Sequence, residues 1–297
     1  MALSRRTFLY TLASSAVAST TTWATTSSLR VLPLRHSTVL ADVAGRRVLF
    51  DPSLSPSFSA PGVFSAPPAA RDADALGPVD VVCISSGEVT ALDVRTLDAL
   101  SLRGASVFVG DDDTARRVRQ RGLRRVRVLR PGQPVDVVGL RIEASPARGL
   151  VGEAIGFTVH GPGTPGLWHT GPLPPLEVDA RAASFASAHP VDVVLGCAWG
   201  LTTRAGGPPL AADLDDVAAL ARIARAHVLL PIGADADVAG VFRLGLERPG
   251  PTSMTPPTTP PTPTTAPTTT LRIERPVRGT WHGLGPTAAA SAMSAGF

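Results

Sequence analysis

Hydrophobic positions follow two spacings along this chain, and their order predicts alternating strands and helices. Leu29 to Leu34 and Ser37 to Val43 predict a strand pair, and Gly45-Arg46 a turn into Val48-Leu49-Phe50. Val79, Val81, Val82, Cys83 and Ile84 form an apolar run that suits a strand covered on both faces. Ser85-Ser86-Gly87 breaks the run, and Leu92 to Leu100 resumes at helical spacing. The result is a strand, a loop at its carboxyl end and a helix, and such loops commonly carry chemistry in α/β folds.

Further along, Val107 to Gly110 predicts a strand and Asp113 to Gly122 a helix closed by glycine. Val126 to Leu129 is the next strand. Arg130-Pro131-Gly132 then turns into Val135 to Glu143, whose alternation predicts one continuous strand. Asp192 to Cys197 is a strand, and Asp213 to Ala226 an amphipathic helix with Leu214, Val217, Leu220, Ala221 and Ala224 on or near one face. Val228 to Gly233 closes the core. Val-Asp-Val-Val begins at 79, 135 and 191, each time after a proline, and the differing residues that follow read as recurrent strand usage rather than a repeat.

Between the elements, residues 53–77 are rich in Pro, Ser and Ala and predict a long irregular loop over the mouth of a site. Residues 248–270 form a Pro/Thr-rich segment that cannot build a core and is expected to be a disordered insertion; 285–297 reads as a disordered tail. That leaves 29–247 plus 271–284 as a single domain, with Leu271 to Glu274 as its last strand. At the start, Ser4-Arg5-Arg6-Thr7-Phe8-Leu9 and the apolar run to Ala18 resemble a twin-arginine signal peptide spanning 1–24, cleaved after Ala18 or Ala24. The run is short for a membrane span of about 20 residues. The expectation is therefore an exported protein, periplasmic or extracellular, that meets a membrane only through its transient signal peptide.

Charge narrows the function. All 28 basic residues are arginine, Lys and Asn are absent, and the formal net charge is +4. No basic cluster is interleaved with aromatics, which argues against nucleic acid as a partner. The arginines from 116 to 127 read as a solvated face. Cys83 and Cys197 each follow a Val-Asp-Val-Val run, so they read as small buried thiols on neighbouring strands.

The loop I-S-S-G-E-V-T-A-L-D, residues 84–93, resembles the metal-binding loop of metallo-β-lactamase-fold hydrolases, I-S-H-x-H-x-D-H-L-D. Ile84, Ser85, Leu92 and Asp93 match; the four ligand positions hold Ser86, Glu88, Thr90 and Ala91. The run from Leu34 to Pro52 is similar to the branch containing L-ascorbate-6-phosphate lactonase and N-acyl phosphatidylethanolamine phospholipase D. In that branch the positions of His36 and Asp51 line the floor of the site. Where the family writes P-A-x-H-G, this chain has Ser145 to Gly149, so the ligand position falls on Arg148 or Gly149. The family's bridging Asp and last ligand His align with Pro172 and Gly233.

The resemblance implies an α/β fold, the four-layer αββα sandwich. It also implies a site with no bound cofactor where the family holds zinc or manganese. His36, Asp51, Asp93 and His169 would line it, and an ion pair from Glu88 to Arg148 or Arg204 would replace metal–carboxylate bonds. The first functional expectation is a non-catalytic binding or interaction protein whose partner is an unknown small molecule or protein. The alternative is an active metal-dependent hydrolase of phosphorylated or acylated small molecules, with an atypical metal site such as Glu88, Asp93 and His169. A serine nucleophile in Ser85-Ser86-Gly87 ranks lower, because the G-x-S-x-G elbow is absent and such a tripeptide is ordinary turn chemistry.

Overall fold

A computed structural model describes residues 29–54, 76–88, 91–100, 102, 104–149, 152–176, 180–199, 210–233, 271–274 and 281–284. The leader, the 55–75 loop, the Pro/Thr segment and the tail lie outside the described residues, as do Thr90 and Arg204.

Two seven-stranded mixed sheets face each other. The first contains β1 (Leu29–Arg35), β2 (Thr38–Val43), β3 (Arg46–Phe50), β4 (Val81–Ile84), β5 (Ser106–Val109) and β6 (Val126–Val128), with α1 (Val94–Ala99) and α2 (Asp112–Arg119). The second contains β7 (Val135–Val137), β8 (Leu140–Arg148), β9 (Glu153–His160), β10 (Leu167–His169), β11 (Val193–Cys197) and β12 (Val228–Ile232), with α3 (Arg181–Ala188) and α4 (Leu214–Ile223). Two short strands finish the sheets: β13 (Arg272–Ile273) beside β12, and β14 (His282–Gly283) beside β1.

Alternation along the strands sorts side chains into three apolar layers. Val81 and Cys83 enter the layer between the sheets, while Val82 and Ile84 pack with Leu97, Ala115 and Val118 beneath α1 and α2. In the second sheet Val193, Leu195 and Cys197 face the same central layer, and Val194 packs with Ala186, Val217 and Leu220 of α3 and α4. This is the expected four-layer αββα sandwich. Strands buried on both faces need continuous apolar sequence, which explains why β4 and β11 were legible as unbroken runs.

Two Val-Asp-Val-Val runs occupy equivalent places, at the starts of β4 and β11. Asp80 accepts the Arg47 N–H at 2.9 Å and its own N–H donates to the Arg47 carbonyl. Asp192 does the same toward Gly166, accepting its N–H at 2.6 Å. In each case the carboxylate closes the start of a parallel strand pair, β3–β4 in one sheet and β10–β11 in the other. The two cysteines follow this arrangement. They lie in opposite sheets, both facing the central layer, rather than on neighbouring strands as expected.

The third run departs from its prediction. Val135 to Glu143 is not one strand but the hairpin β7–β8, with Val138 at φ 45° and Gly139 at φ 81° in the turn. Both central residues take positive φ, the geometry that matches the twist of paired strands. A β-branched residue is strained there, and Val138 is 40% exposed, so packing gives little in return. Replacing Val138 with Asn should stabilise the protein by about 1 kcal/mol, read as a higher urea midpoint at unchanged slope.

Candidate functional site

The carboxyl ends of β4, β10 and β12 share one rim, and a buried polar centre fixes them there. Asp51 directly follows β3, is 1% exposed and stands at φ 45°. Its Oδ1 accepts the Ser85 N–H at 2.7 Å and its Oδ2 the Ser85 hydroxyl at 2.8 Å, so it holds the end of β4. Thr38 donates its hydroxyl to the Asp51 carbonyl, tying in β2. Across the sandwich, His169 at the end of β10 lies with Nε2 3.2 Å from the Ser37 carbonyl and 3.8 Å from Asp51 Oδ2. Its Nδ1 accepts the Gly171 N–H at 3.2 Å, which assigns the proton to Nε2 in the neutral ring. The imidazole stacks on Phe50 with centroids 4.9 Å apart and planes 1° from parallel.

Burial governs the ionisation of this centre. It raises the Asp51 carboxyl above its usual range, against the opposing pull of His169 and the Ser85 hydrogen bonds. It lowers His169 below the ordinary imidazole value, against the pull of Asp51. Cys83 and Cys197 are both pushed up, by burial first and by the Asp51 charge second, so neither thiol is poised as a nucleophile. Backbone bonds reinforce the junction between the sheets. The Ile155 N–H donates to the Ser85 carbonyl at 2.9 Å and the Gly233 N–H to the His36 carbonyl at 3.0 Å. His36 and Asp51 therefore both lie at the base of the rim. Asp93, expected to line the site, instead caps α1, accepting from the Arg95 N–H and the Thr96 hydroxyl.

Above this base stand the positions singled out in the sequence. Ser86 is buried, and its hydroxyl accepts the Glu88 N–H at 3.3 Å. The Glu88 carboxylate lies so close to Gly149 that a Cβ there would collide with Oε1. Ala91 is buried and its N–H donates to the Glu88 carbonyl. The Arg148 N–H donates to the Pro172 carbonyl at 3.1 Å, which joins the end of β8 to the segment after β10. Among the described residues no carboxylate forms an ion pair with Arg148, and the other expected partner of Glu88, Arg204, lies outside them.

Gly233, at φ 77°, faces Trp199, and a Cβ at 233 would strike the indole Nε1. Trp199 is 4% exposed. The residual cavity bounded by Arg148, Pro172, Leu173, Cys197, Trp199 and Ala211 measures about 10 Å³, at most the room of one water molecule. Trp199 is the residue that sequence reasoning missed. It lies just after the Cys197 strand, in the approach to a Gly/Pro-rich stretch, and only the partner glycine at 233 reveals its place.

This arrangement belongs to a recognisable lineage. Residues 46–233 match the model of the beta-lactamase superfamily domain, well over half of the chain. The chain belongs to that superfamily. Among solved structures, a possible metal-dependent hydrolase from Veillonella parvula aligns with TM-score 0.61 at 14% identity, over 86% of this chain and 100% of that one. The isothiocyanate hydrolase from Delia radicum gut bacteria aligns with TM-score 0.56 at 17% identity, over 69% of this chain and 84% of that one. A metallo hydrolase from Ignicoccus hospitalis gives 0.53 at 16% identity, over 86% and 98%. At these identities the likeness is one of fold. No curated protein matches the sequence.

Among the described residues, those at the rim do not supply the donor set that a divalent ion takes. Zinc takes three or four imidazole, thiolate or carboxylate donors at about 2.0–2.3 Å. Ala91, Pro172 and Gly233 have no donor side chain, and Trp199 occupies the space in front of Gly233. Among the described residues no group of three His, Cys, Asp or Glu converges to hold a metal. The alternative set Glu88, Asp93 and His169 is not assembled, since Asp93 serves a helix cap and both His169 nitrogens face backbone groups.

Two measurements check this site. Gly233→Ala should cost about 3 kcal/mol, from the left-handed backbone and the collision with Trp199, and Trp199→Leu in the same chain should recover part of it. For His169, the folded ring stays neutral while the unfolded ring takes up a proton below its ordinary value of 6.5. Stability supplied by this residue is therefore present above that value and lost as pH falls. The wild-type advantage over His169→Gln in urea midpoint should shrink between pH 8 and pH 5.

Proposed function

We propose that this chain is a metal-free, non-catalytic member of its hydrolase superfamily, retained as a binding protein and exported. The observation that carries the reading is Trp199 seated against Gly233, with a cavity of about 10 Å³ between it and Pro172. A hydrolase of this kind needs open coordination positions for water and substrate. Among the described residues an indole, a proline ring and aliphatic side chains line that cavity, and Glu88 is the carboxylate at an aligned ligand position, which supports the reading. Export is supported by the twin-arginine segment at Arg5-Arg6.

A second reading is an active metal-dependent hydrolase of phosphorylated or acylated small molecules with an altered site. It draws support from Glu88 at the rim and from the fold shared with metal-dependent hydrolases. Elemental analysis separates the two. Purified full-length protein, dialysed without chelator, should carry zinc and manganese far below one ion per chain and should not turn over phosphodiester or lactone substrates. One or more tightly held ions per chain would overturn the reading.

A further inference from the structure

We draw no further inference here: the strongest candidate, the arginine-rich edge formed by the carboxyl end of α2 and by β6, carries nothing, because Arg116 and Arg121 pair with Asp113 and Asp98, Arg119 and Arg125 donate to the Val126 and Gly104 carbonyls, and nothing in the structure shows what covers it.

Discussion

The buried carboxylate of Asp51 is the constraint on which this molecule depends. Removing a carboxylate from water costs several kcal/mol unless its oxygens are satisfied. Here the Ser85 N–H and hydroxyl satisfy them, and the His169 ring lies alongside. Because Asp51 ends β3, Ser85 follows β4 and His169 ends β10, satisfying one charge fixes three strand ends in two sheets. The Phe50–His169 stack and the Ile155–Ser85 backbone bond close the same junction. Apolar layers bring the sheets together without direction; this polar junction sets how their ends meet.

Much of the architecture could be read from the chain because apolar alternation has a physical cause. The unbroken runs at Val81–Ile84 and Val193–Cys197 are central strands covered on both sides, and those were legible. The hairpin at Val138-Gly139 was not, because valine carries no turn signal and only the backbone angles betray it. Helix α3 also escaped notice, although Ala182, Phe185 and Ala186 fall at helical spacing and are its buried residues. The equivalence of Asp80 and Asp192 needed hydrogen bonds to be seen, since sequence flanks say nothing about which neighbour an aspartate closes.

At the rim, sequence reasoning named positions without the side chains that pack among them. The Glu88 carboxylate lies against Gly149, the Arg148 N–H donates to the Pro172 carbonyl, and Gly233 faces Trp199. What fills the space between them depends on side chains far away in sequence. Trp199 meets Gly233 across more than thirty positions, and no local pattern encodes that meeting. Asp93 illustrates the converse. Its motif position suggested the site, while the local geometry of α1 gave its carboxylate to a helix cap.

The exclusive use of arginine has a consequence for every positive side chain of this protein. A guanidinium keeps its proton at any pH a living cell or its surroundings reach. Lysine or histidine in those places could lose its charge on burial, whereas the arginines keep theirs wherever the fold sets them.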